Sequence, residues 1–147
     1  MAETPVRGAG GRFIKGGAAI RRKLKKLERA IPLEVAAALY QEALLITANS
    51  MRRTPVDVTT KKGGGTLRDS HETSEPRWKG KTLRVDIQVG GPAAPYAAIV
   101  HERVLAPSGR PVKHIVGEAK FLEKALMEAE PGLRDRLAKR IKLNRLV

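Results

Sequence analysis

Two lysines, three glycines and a threonine stand together in TPVDVTTKKGGGTLRDS, residues 54–70. The chemistry such a stretch suggests is phosphate cradling, with glycine N–H groups around the anion and a lysine on its outer oxygens. A phosphate loop of the Walker kind needs G-x-x-x-x-G-K-[ST] between a strand and a helix. Here Lys61 and Lys62 precede the glycines, Thr66 follows them directly, and the residues beyond look like strand. No lysine stands where it would reach a β- or γ-phosphate, so the stretch reads as a mobile surface loop.

Other chemistry finds less support. His71, His101 and His114 fall on different elements, without the H-x-x-x-H or H-E-x-x-H spacing that puts two imidazoles on one metal. The chain has no cysteine, which removes thiolate zinc sites and disulfides alike. The strained G-x-S-x-G turn of a serine hydrolase is absent, and nothing singles out a pair of carboxylates for acid–base work. The expectation is no catalytic residue, no metal and no cofactor.

The bulk properties point to a structural role for charge. With 147 residues, 41% of them hydrophobic, the chain can bury one core. Its net charge is +14, unevenly placed. Residues 1–31 hold nine Lys/Arg against two Glu, residues 132–147 six against one Asp, and the body between is nearly neutral. Basic ends on a balanced domain suit phosphate backbones or acidic protein partners, or simply solvate long helices. Five aromatic residues are too few for the interleaved stacking platform of a single-strand binder. The longest run free of Asp, Glu, Lys and Arg, Ile87 to His101, is short and broken by two prolines, and the N-terminus lacks an apolar stretch. Neither a membrane span nor a secretion signal is expected.

Residues 1–17, with five glycines and a proline, read as a flexible arm, and 18–147 as a single domain. Ile20, Leu24, Leu27 and Ile31 form one apolar edge among basic neighbours. Pro32 then interrupts, and a second helical run carries Leu33, Ala36, Tyr40, Ala43, Leu44, Thr47 and Met51 up to Pro55. Leu83, Val85, Ile87 and Val89 alternate with polar residues as a half-buried strand, and residues 66–74 would pair with it in a hairpin. Residues 95–102 read as a short helix. Leu122, Leu126, Ala129, Leu133, Leu137 and Ile141 keep one face across Pro131–Gly132, as one kinked helix or two abutting ones.

Three segments, in order, resemble a known family. TPVD (54–57) with GTLRDS (65–70) looks like a P-V-D-t-G-x-L-r-x-S signature following a long helix. YAAIVHE (96–102) looks like Y-A-x-y-V-H/E-E, and HIVGEAKFLEKAL (114–126) like the opening of a final helix. Together they resemble the neck, head–tail connector or tail-completion minor structural proteins of tailed, siphophage-type phages, over about residues 33–130. The chain differs in inserting VTTKKGG (58–64) within the first signature, and in having Arg103 and Val104 where many members have G-T.

The resemblance implies an α+β fold: a long N-terminal helix packed on a small antiparallel β-sheet, with a C-terminal helix and a flexible basic N-terminal arm. It implies a non-enzymatic, homo-oligomeric ring, commonly six-fold, in the virion neck. Such a ring would be made in the host cytoplasm and contact portal-side head-completion proteins and tail terminator or tail tube proteins while DNA passes. Pro55, Val56, Asp57 and Gly65 would shape the helix-to-strand corner. Leu67, Tyr96, Ala97, Val100, Phe121, Leu122 and Leu126 would build the core or the subunit contact. His101, Glu102 and Lys120 would supply polar contacts. The expected DNA or partner contacts are Arg21, Arg22, Lys23, Lys25 and Lys26, then Lys61 and Lys62 of the loop, then Arg136, Lys139 and Arg140. The alternative is a small basic cytoplasmic protein binding nucleic acid through its termini; an enzyme comes third.

Overall fold

A computed structural model describes residues 6–7, 13–14, 17–58, 65–110, 114 and 116–141. The fold is α+β: a long N-terminal helix, short antiparallel ladders, and helices at the C-terminal end. In the N-terminal arm, β1 (Val6–Arg7) pairs antiparallel with β2 (Phe13–Ile14); the rest of that arm, Gly17 apart, lies outside the described residues.

The spine is α1, Gly17–Arg53, 37 residues without a break. The expected interruption at Pro32 does not occur. Proline removes the N–H that would reach the carbonyl of Glu28. Both residues are exposed, so water can take that carbonyl and the helix continues. Proline four residues after an exposed carbonyl bends or weakens a helix; it need not end it. The true stop comes at Arg53, two residues before Pro55. By length and composition α1 is the one described helix that could cross a membrane. Counting uninterrupted runs hid this, because Glu34 and Glu42 are the only charges between Ala30 and Met51. In its second half Glu42, Thr47, Asn49, Ser50 and Arg53 are bonded to the rest of the domain, which makes it the spine of this fold.

After α1 the chain forms α2 (Thr66–Asp69), a single turn where a strand was expected. The turn tucks Leu67 inward, 4% exposed. The hairpin follows in two pieces. Near its base β3 (His71–Thr73) pairs with β6 (Ile87–Val89), and at its tip β4 (Arg77–Lys79) pairs with β5 (Thr82–Arg84). The expected unbroken strand 83–89 is kinked at Val85–Asp86. There Ser74 N–H donates to the Asp86 carbonyl at 2.8 Å, and Asp86 N–H donates to Ser74 Oγ at 2.9 Å. The Asp86 carboxylate accepts from Arg77 and Arg84, at 3.0 and 2.6 Å, which clamps both strands beside the kink.

The short helix predicted at 95–102 is α3, Ala97–Glu102. The final region is two abutting helices, α4 (Phe121–Ala129) and α5 (Leu133–Arg140), divided at Pro131–Gly132. The main tertiary contact is α1 on α4, with α5 and β3 also on α1. Alanines (Ala38, Ala43, Ala125) are buried on these helices and let backbones approach. Leu67, Ala94, Ala97 and Phe121 form the central cluster, with Val89, Val100 and Leu122 packed round it.

Candidate functional site

The three motif segments meet at the C-terminal end of α1. Glu118 N–H donates to the Arg53 carbonyl at 2.8 Å, satisfying one of the last acceptors of the helix, and Val56 N–H donates to the Val116 carbonyl at 3.3 Å. Gly117, between them, lies directly against the Thr54–Pro55 backbone with φ +86°. Lys120, in the left-handed conformation at φ 57°, donates its N–H to the His101 carbonyl at 2.8 Å and starts α4. Its ammonium pairs with Glu102 and, at 3.2 Å, with Glu123. These hydrogen bonds raise the Lys120 pKa and lower that of Glu102, so the pair stays ionised.

Phe121, fully buried, receives the His101 ring edge-on at 4.8 Å between centroids and the His71 ring tilted at 5.8 Å. Leu67, Ala97, Val100 and Leu122 surround the same point. Residues picked from three separate stretches thus form one junction. Tyr96 and Leu126 do not join its core: they are 43% and 46% exposed, Tyr96 at the N-cap of α3 and Leu126 lining a surface groove with Ile46 of α1. Gly65, at φ +138°, opens α2, and Asp57 is exposed at the far side of the corner. Lys61 and Lys62 lie outside the described residues.

Beside the junction is a polar set that the sequence did not point out. His71 Nδ1 donates to the Arg68 carbonyl at 2.8 Å, which leaves Nε2 as the acceptor in the neutral ring. Ser50 Oγ therefore donates to Nε2 at 2.9 Å. The Thr54 hydroxyl, 3.4 Å from the same nitrogen, donates instead to the Ser50 carbonyl at 2.8 Å. Thr47 meets Thr73 hydroxyl to hydroxyl at 2.7 Å. A serine on a histidine invites comparison with a catalytic dyad. Ser50 is fully enclosed, however, and the other imidazole nitrogen rests on a carbonyl instead of a carboxylate. The set ties β3 to α1. The clue in the sequence was the row Thr47, Ser50, Thr54 at helical spacing beside apolar positions.

Burial disfavours the imidazolium form of His71 and lowers its pKa, with the Arg68 and Leu67 carbonyls offsetting only part of the effect. In the unfolded chain this histidine titrates near 6.5, so the unfolded state takes up the proton first as pH falls. The contribution of neutral His71 is complete above about pH 6.5 and shrinks below it. Denaturant unfolding of the wild type should show stability declining from about pH 7 to about 5.5, more steeply than in His71→Gln. Parallel profiles for the two proteins would show that the ring protonates freely in the fold.

Two further features involve predicted contacts. Glu42 is 1% exposed and accepts from Arg136 Nε at 2.8 Å and Arg140 Nε at 2.7 Å. Burial pushes its carboxyl up, but the two guanidinium groups outweigh that and hold it below the ordinary range. Arg136 and Arg140, both expected as DNA or partner contacts, therefore dock α5 on α1 through an internal ion pair while their side chains stay partly exposed. Lys139 stays exposed. On the first half of α1, Arg21, Arg22, Lys23, Lys25, Lys26 and Arg29 are all exposed, as are Ile20 (53%), Leu24 (58%) and Leu33 (73%).

The surface also carries an apolar groove of ≈ 470 Å³, lined by Ile46 of α1, His101, Leu122, Leu126, Met127, Ala129 and Leu133, with Glu123 and Glu130 at its rim. Among the described residues no three His, Asp or Glu side chains gather as metal ligands. Comparison with protein-family models, curated proteins and solved structures finds no match.

Proposed function

We propose that this chain is a non-enzymatic ring subunit of a tailed-phage neck, joining the DNA-filled head to the tail. The observation that carries the proposal is the distribution of its apolar side chains. Among the described residues only Leu67 and Phe121 are large buried hydrophobics; the other buried apolar residues are alanines. Meanwhile Ile20, Leu24, Ile31 and Leu33 stand exposed on the first half of α1, and Leu126 and Met127 in the groove. Apolar surface left in water at these two places suits assembly. A subunit with little large-residue core of its own gains much of its burial from neighbours. The ordered segments 54–57, 65–70, 96–102 and 114–126, which resemble the neck family, support the same reading through their convergence on one junction. The ring would have neighbours on the head and tail sides, and six copies is the expected number.

Deleting the gene from its phage tests this directly. DNA-filled heads and separate tails are expected; complete, joined virions from the deletion would refute the role. The second reading, nucleic-acid binding, is favoured by the exposed basic residues between Arg21 and Arg29. It requires affinity to fall by several decades between about 50 and 200 mM salt if about 6–10 phosphates are contacted. A flat salt profile eliminates it.

A further inference from the structure

We propose that the exposed first half of α1 docks into the groove between α1, α4 and α5 of a second copy of this chain, head to tail. The inference rests on the ring reading and supplies its interface. The arm has an apolar seam at Ile20, Leu24, Leu27 and Ile31, spaced four, three and four residues apart. Ile20, Leu24 and Ile31 are exposed and Leu27 is partly so. The groove has its own seam with the same spacing, Leu122, Leu126, Ala129 and Leu133. The arm seam runs about 16 Å at helical rise; the groove seam follows α4 to Ala129 and crosses the Pro131–Gly132 turn to Leu133, the first residue of α5.

Charge selects the pairing. Between Ile20 and Leu33 the arm carries six basic residues and one acidic, Glu28. Arg21 and Lys23 flank the seam on opposite sides, at the positions that set partner choice in packed helices. The only charged carboxylates or cations lining the groove are Glu123 and Glu130. The lysines of α4 are already engaged within the chain, Lys120 with Glu102 and Glu123, Lys124 with Glu118. Glu130 has no ion-pair partner among the described residues, and Glu123 shares its own with Glu102.

Two other occupants fit less well. Arm against arm in a symmetric dimer would bury the seam but bring two strongly basic helices together, which electrostatics opposes. Nucleic acid would satisfy the basic residues while leaving the apolar seam in water. An amphipathic helix in an acid-rimmed apolar groove satisfies both. Because arm and groove occupy different faces of one chain, the contact is heterologous, which is the kind that closes into a ring.

The test uses the full-length protein and light scattering with sedimentation at micromolar concentration. The arm variant is Leu24→Asp with Ile31→Asp; the groove variant is Leu126→Asp with Met127→Asp. All four positions are exposed, and circular dichroism and unfolding curves check that each variant keeps the fold. Wild type is expected to form oligomers and each variant to be monomeric. An equal mixture should give dimers of one chain of each kind and nothing larger, since it offers one intact arm and one intact groove. As an independent check, Arg21→Glu with Lys23→Glu should weaken association about tenfold or more, and adding Glu123→Lys with Glu130→Lys should restore it.

Monomeric wild type, or oligomers that survive in both variants, would overturn the proposal. So would a mixture that yields no dimer, or an arm variant that loses only nucleic-acid binding. None of these results touches the neck role, which is judged by the virions of the deletion phage.

Discussion

Phe121→Ala is expected to lower stability by about 3–5 kcal/mol, the range for emptying a well-packed aromatic site. The side chain is fully enclosed and is the largest buried residue among those described. Leu67, Ala94 and Ala97 share its cluster, and His71 and His101 lean on its ring from two sides. Little of that shell can collapse into the gap, because alanines have nothing to extend and His71 is held by the Arg68 carbonyl and Ser50. For a chain near 150 residues each kcal/mol moves the melting temperature by roughly 2–4 °C, so a fall of roughly 6–20 °C should be seen. Chemical denaturation with an unchanged m-value would confirm that native stability is what changed. A loss below about 1 kcal/mol would mean that the cluster is not where the three motif segments are joined.

Gly117→Ala is the second large effect, by a different mechanism. At φ +86° an L-residue is strained, which costs about 1–2 kcal/mol. A Cβ there would also lie 2.5 Å from Pro55 N and 2.6 Å from Thr54 C, closer than real contacts allow. The obstacle is backbone, held by the bonds from Glu118 to Arg53 and from Val56 to Val116, so it cannot swing aside. Overpacking of that kind adds about 1–3 kcal/mol, making a total of roughly 2–5. Gly91→Ala separates the two causes. Its φ is +95°, yet nothing lies within 4 Å of the added carbon, so only the conformational cost applies. Unfolding curves for the pair should place Gly117→Ala at least about 1 kcal/mol below Gly91→Ala. Equal losses would show that the loop 116–118 can pull away from the end of α1.

Much of the architecture was legible in the residues because local periodicity reports which face of an element is buried. The apolar spacing from Leu33 to Met51 and from Leu122 to Ile141 placed α1, α4 and α5, and Pro131–Gly132 marked where the last two divide. The differences have physical causes. Pro32 looks like a break because proline costs a hydrogen bond; on an exposed stretch water replaces the partner and the helix runs through. Residues 66–69 look like strand because the pattern is too short to separate the two periods. The need to bury Leu67 under Phe121 decides for a turn of helix.

Charge was the least transferable signal. By sequence alone Arg136 and Arg140 belonged with Lys139 and the basic α1 residues as one class of surface cation. Only the crossing of α5 over α1 shows that two of them neutralise Glu42, whose position within an apolar run carried no hint of a partner nearly a hundred residues away. Likewise nothing in the sequence links Ser50, Thr54 and His71, which come together only where the hairpin returns to α1.

Composition, spacing and turn residues thus determined the long helix, the hairpin strand, the two closing helices and the basic character of the arm, since each depends on neighbours along the chain. Which side chains meet was decided by tertiary structure alone: the Phe121 junction, the buried Glu42 pair and the groove between α1, α4 and α5. Contacts between residues far apart in sequence depend on how helices cross, and no local pattern encodes that angle.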